Sequence, residues 1–151
     1  TNPLKAVEFF KKTKCDALAI SYGTKHGANK GKDTVIRKEI AIATKECMLH
    51  EGIEGTLVSH GSSTVPQYIV SEINALGGEI HDAYGIKKEQ LKEVSKLGIR
   101  KINVATELRM AFMEGLESTV GQRDFYQMYR TAKENMTALA RHKIQLFQGK
   151  L

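Results

Sequence analysis

The sequence contains no tryptophan, two prolines, two cysteines and 7% aromatic residues, and each scarcity excludes something. Cys15 and Cys47 are too few for the disulfide framework on which a small secreted domain depends, so free thiols in a cytoplasmic setting are expected. No apolar run approaches the roughly 20 residues that span a bilayer, so no membrane partner is expected. The first eight residues show no basic stretch leading into an apolar one, the pattern of a secretory leader. The charge of +6, from 23 basic and 17 acidic side chains, would favour nucleic acid through counterion release. Acids are interleaved with bases along most of the chain, however, and few aromatics are available to stack on bases, so no nucleic acid partner is expected. Residues 25–32 alone concentrate positive charge, which suits a solvated basic face or a small anion site.

What remains is an ordinary globular composition, 41% hydrophobic and 26% charged over 151 residues. No linker, low-complexity tract or internal repeat divides the chain, so residues 1–151 read as a single domain or part of one. Pro3 suits the first turn of a helix capped by Thr1 or Asn2, with Leu4, Val7, Phe9 and Phe10 on its apolar side. The run 17–20 lacks strict alternation and predicts a buried parallel strand. Ile36, Ile40, Ala43 and Cys47 recur at helical spacing. Residues 56–59 predict a second buried strand, and Pro66, Ile69, Val70, Ile73 and Leu76 the helix after it. The stretch 79–87 reads as irregular, 88–97 as a short helix and 99–104 as a third strand, followed by a helix bearing Leu108, Ala111, Phe112 and Leu116. Phe125, Tyr129, Ala132, Met136 and Leu139 predict a long amphipathic terminal helix. Strand and helix in alternation, with buried strands, predict an α/β fold around a parallel sheet.

Each predicted strand runs into a polar, glycine-bearing segment, and the carboxyl ends of parallel strands form the ligand face of such folds. His26 and His60 therefore leave neighbouring strand ends on one rim, where they could bind one metal or serve as hydrogen-bonded structural side chains. Gly27 and Gly61 follow the histidines directly and leave backbone N–H groups unobstructed, while Lys30 and Ser63 lie a few residues on. Such donors can form a phosphate cradle, and glycines can equally do no more than turn the chain. Metal and phosphate together suggest a phosphorylated substrate activated by a Lewis acid.

In order along the chain, GTKHGANKG, LVSHGSSTVPQ and KINVATELRMAF resemble three signature segments of the class II, zinc-dependent ketose-bisphosphate aldolases, especially the fructose-1,6-bisphosphate branch. The opening TNPLKAVEFF and the insertion GGEIHDAYGI extend the resemblance over nearly the whole chain. It implies the C-terminal part of a TIM (β/α)8 barrel with a long C-terminal helix, the upstream part preceding Thr1. It further implies His26 and His60 as two of three Zn2+ ligands. Gly27, Lys30, Gly61 and Ser63, with backbone donors near Ala105 and Thr106, would hold one phosphate. Asn103 would hydrogen-bond the dihydroxyacetone part of the substrate as its enediolate forms, and Arg109 would face the second phosphate. Arg123, in a segment resembling the family's DPRDY, would reach the second phosphate of a neighbouring subunit, so a homodimer or homotetramer is implied.

The implied reaction is reversible cleavage of fructose 1,6-bisphosphate into dihydroxyacetone phosphate and glyceraldehyde 3-phosphate. The resemblance implies that the third histidine ligand and the general-base aspartate lie upstream, and His50, His81, His142, Asp33 and Asp82 do not match those motifs. Ala105 departs from the fructose branch, which usually carries an aspartate there, and NVATEL resembles the tagatose-bisphosphate branch. A chain complete as given would instead suit a non-catalytic sugar-phosphate-binding or assembly module, since three strands cannot close a barrel.

Overall fold

A computed structural model describes residues 1–24 and 35–151. The expectations for His26, Gly27, Lys30 and Asp33 fall outside the described residues. Helix α1 (Pro3–Thr13) begins as its sequence predicts. Asn2 Oδ1 accepts from Leu4 N at 3.0 Å and Lys5 N at 3.2 Å, with Pro3 at the first helical position. Lys14 closes the helix in the left-handed conformation, φ 55°, its N–H donating to Phe10 O. Ala6, Val7 and Phe10 form the buried face of α1, which packs on α2 (Lys38–His50). The exposed Lys11–Glu51 pair spans the same two helices and holds the Glu51 carboxyl below its ordinary range, and Lys38–Glu93 does the same for Glu93. Pairs this exposed add little beside the apolar contacts.

Strands β1 (Ala17–Ala19), β2 (Thr56–Ser59) and β3 (Ile99–Ile102) form one parallel sheet in the order β1-β2-β3. Leu18 pairs with Leu57 and Ser59 with Ile102, and the β2–β3 register shifts between Leu57 and Val58. The β1–β2 crossover carries α2. The β2–β3 crossover carries α3 (Gln67–Ala75) and α4 (Lys88–Val94), which tightens into a 3-10 turn at Ser95–Leu97. The predicted α/β fold with a parallel sheet is therefore present.

Leu57, Val58, Met48, Ile86, Leu91, Val94 and Ile99 make the apolar core around the sheet. Burial departs from expectation along several elements, and on α1 Leu4 and Phe9 are exposed. β1 is not a buried strand: Ala17 and Ala19 are exposed and Leu18 is half-buried, whereas β2 is covered along Leu57, Val58 and Ser59. The face of α2 that turns inward is Ala41, Thr44 and Met48, one position on from the predicted stripe, and Ile36 precedes the helix. α3 buries none of its residues, and Leu76 just beyond it is 89% exposed.

The described residues divide into two compact units, Thr1–Asn103 and Val104–Leu151. The second is a helical hairpin of α5 (Thr106–Glu117), a 3-10 turn at Val120–Gln122, and α6 (Phe125–Phe147). Asp124 caps α6, accepting from Tyr126 N at 2.9 Å and Gln127 N at 3.1 Å. Gly115 sets the closeness of the seam, because a Cβ there would lie 2.4 Å from Ala132 Cα. The predicted stripe on α6 is only partly inward. Ala132 is buried, but Phe125 and Tyr129 are exposed and stack on each other, while Lys143 and Leu146 are buried instead.

Candidate active site

Two of the residues singled out from sequence meet on the carboxyl edge of the sheet. His60 follows the last residue of β2 and Asn103 the last residue of β3, so the parallel pairing brings both to one rim. Asn103 N donates to Ser59 O at 2.9 Å, which locks the two strand ends together. The Asn103 side-chain nitrogen lies 2.9 Å from His60 Nε2 and 3.4 Å from Nδ1. The amide NH2 can only donate, so the shorter contact is a hydrogen bond in the tautomer whose Nε2 is unprotonated. Lys101 Nζ donates to the other end of the same amide, Asn103 Oδ1, at 2.8 Å. A cation on the carbonyl end strengthens the amide N–H as a donor, and Lys101 was missed because it reads as one of many scattered lysines.

The turn after His60 is tightly held. Gly61 has φ 65°, a conformation that a glycine adopts without strain. Ser62 and Ser63 are buried, at 0% and 4% exposure. Behind them the segment 83–86 forms a buttress: Ile86 N donates to Ser63 O, Val65 N to Tyr84 O, and Thr64 Oγ1 to Ile86 O at 2.7 Å. Gln67 Nε2 adds a bond to Ala83 O at 2.9 Å. This packing needs Gly85, which has φ 72° and would place a Cβ 2.2 Å from Ser63 O. Gly85→Ala should cost about 2–4 kcal/mol, from left-handed strain plus a backbone clash. Urea unfolding measures it, and an unchanged midpoint would show that the buttress does not form in solution.

A second feature escaped the sequence reading altogether. Tyr22, completely buried three residues beyond β1, hydrogen-bonds through its hydroxyl to Ser59 Oγ, which is 2.6 Å from Ser62 Oγ. Burial pushes the Tyr22 phenol above its ordinary range. A serine ending the apolar pair Leu57-Val58 was the available signal, and a tyrosine beside a glycine-rich loop is ordinarily taken as surface.

The remaining nominated residues belong to the other unit. Ala105 precedes α5 with φ −132° and ψ −54°, and Thr106 opens the helix. The first turn of a helix favours negative charge. Arg109 lies on the exposed side of α5, and Arg123 ends the 3-10 turn with φ 54°, also exposed. Among the described residues no three His, Cys, Asp or Glu side chains gather as a metal site. The described rim thus supplies one imidazole, whose nitrogen-donor chemistry and partial exposure suit a zinc ligand. No helix among the described residues is long and apolar enough to cross a membrane.

The family described as fructose-bisphosphate aldolase class-II matches residues 1–150. The chain belongs to that family. It is 36% identical over 97% of its length to fructose-bisphosphate aldolase 2 of Cereibacter sphaeroides, and 36% identical over 97% to a fructose-bisphosphate aldolase of Thermus caldophilus. It spans 43% and 48% of those two proteins, less than half of either. Among solved structures, the YdjI aldolase of Escherichia coli K12 aligns with a TM-score of 0.67 and 26% identity, over 97% of this chain and 44% of that one. The alignment with the YdjI aldolase over 97% of this chain shows a shared fold.

Proposed function

We propose that this chain is the later part of a single TIM-barrel domain in a class II aldolase that reversibly cleaves fructose 1,6-bisphosphate to dihydroxyacetone phosphate and glyceraldehyde 3-phosphate. The observation that carries the proposal is the His60–Asn103 contact at adjacent strand ends. A substrate oxygen entering that rim meets a directed amide donor beside an imidazole. Asn103, primed by Lys101, donates to the dihydroxyacetone oxygens and favours the charge that develops there when the carbon–carbon bond breaks. Gly27, Lys30, Gly61 and Ser63 hold the nearer phosphate, together with backbone donors near Ala105 and Thr106. Arg109 takes the farther phosphate, joined by Arg123 of a second copy in a homodimer or homotetramer. His60 and His26 would hold Zn2+, with a third ligand and the general-base aspartate supplied from outside this segment. When bound, zinc supplies Lewis-acid charge that lowers the energy of the enediolate. A cytoplasmic enzyme acting on ketose bisphosphates and triose phosphates follows, with no nucleic acid or membrane partner.

Ala105 lies in NVATEL, which resembles the tagatose-bisphosphate branch, and so favours a second reading, tagatose 1,6-bisphosphate as substrate, which differs at the C4 hydroxyl that the base must approach. The test is the full-length protein assayed on both sugars, with and without a chelator. We expect a higher kcat/KM on fructose 1,6-bisphosphate and loss of activity on metal removal. A preference for the tagatose sugar reverses the substrate order. Metal-independent binding without turnover would instead establish a sugar-phosphate-binding module.

A further inference from the structure

Tyr22, Ser59 and Ser62 are each 0% exposed, and together they make a chain of buried hydroxyls directly behind His60. Its direction follows from proton counting. Ser62 Oγ donates to His60 O at 3.4 Å, so it accepts from Ser59 Oγ at 2.6 Å, and Ser59 in turn accepts from the Tyr22 hydroxyl. Each hydroxyl has one proton to give, so Tyr22 is the terminal donor of the relay. The chain joins three places: the segment after β1, the last residue of β2, and the turn on the far side of His60. Three hydroxyls at zero exposure are a costly way to fill a core, where apolar side chains of the same shape would do as well or better. What apolar groups cannot do is fix the direction of a turn.

We propose that Tyr22 is a positioning residue, whose hydroxyl orients the His60–Gly61–Ser62 turn through Ser59 and Ser62. The turn carries both the imidazole and the Gly61 N–H assigned to phosphate, so one buried phenol sets both. Arg37 N donates to Tyr22 O at 2.7 Å, which ties the backbone of Tyr22 independently of its side chain. Loss of the hydroxyl therefore leaves residue 22 in place and releases only the relay.

This inference rests on the assignment of His60 to the active site, and the experiment separates the two. In the full-length protein, Tyr22→Phe removes one oxygen and keeps the ring. It should raise KM for the bisphosphate about 5-fold and weaken zinc binding by the apoprotein about 10-fold, measured by competition with a chromogenic chelator, with a smaller change in kcat. Ser62→Ala leaves the aromatic ring untouched and carries the same expectation. Tyr22→Phe combined with Ser62→Ala should be no worse than the more damaged single variant, because both cut one chain. Unchanged KM and zinc affinity with a lowered Tm would overturn the inference and make Tyr22 a core filler, as would additive effects in the double variant. If His60→Ala keeps turnover and zinc, both the site assignment and this inference fall. If His60→Ala abolishes both while Tyr22→Phe and Ser62→Ala behave as wild type, this inference alone falls.

Discussion

His60→Ala in the full-length protein should lower kcat/KM roughly 1000-fold and leave less than stoichiometric zinc, while the protein remains folded. The side chain stands at the rim and is only partly buried, so its removal costs stability of the order of 1 kcal/mol. What it takes away is the imidazole nitrogen and the partner of the Asn103 amide, 2.9 Å distant. Asn103→Ala makes the complementary case. It keeps the imidazole and should keep zinc, yet lose roughly 100-fold in kcat, because its donor acts where charge develops and not on the resting substrate. Metal content by mass spectrometry, steady-state kinetics and circular dichroism read the three quantities separately. A His60→Ala protein that holds one zinc per subunit and turns over normally would remove His60 from the chemistry. A protein that loses its helical signal would show that the residue is structural.

The rim was legible in the sequence because it depends on order along the chain. In a parallel sheet every strand must end on the same side, so a histidine just after one apolar run and an asparagine just after another are neighbours if the strands are. β2 and β3 are neighbours, and the contact follows. The cap of α1 was equally legible, since Asn-Pro before an apolar stripe has a local cause. Burial was less so. Ala17 and Ala19 are apolar yet exposed, because hydrophobicity states what a side chain tolerates and not what lies above it. Thr44, not Cys47, turns fully inward on α2, since its hydroxyl bonds Ile40 O at 2.7 Å and is thereby satisfied within the helix. The Tyr22 relay could not be read at all. It joins residues 37 apart whose polarity, taken singly, points to the surface.

Lys143→Ala should destabilise the chain by about 3–5 kcal/mol, the largest effect expected of any charge on α6. Lysine is among the residues least often buried, and a helical stripe reading of α6 passes over it. Yet the Lys143 side chain is 6% exposed, and its Nζ lies 2.5 Å from Glu107 Oε1, itself 12% exposed. Glu107 sits in the first turn of α5 and Lys143 near the end of α6, so the pair ties the start of one helix to the end of the other. Removing the ammonium takes one charged partner from a buried carboxylate, and most of the loss arises from the desolvated charge that stays behind and not from the attraction itself. A second variant decides between these two origins. Lys143→Met with Glu107→Leu replaces both charges by apolar groups of similar size and should recover most of the stability lost in Lys143→Ala, as read from the urea midpoint at constant m. If the double replacement is as damaging as the single one, the pair is worth its full attraction and the seam at Gly115 and Ala132 cannot hold the hairpin by packing alone.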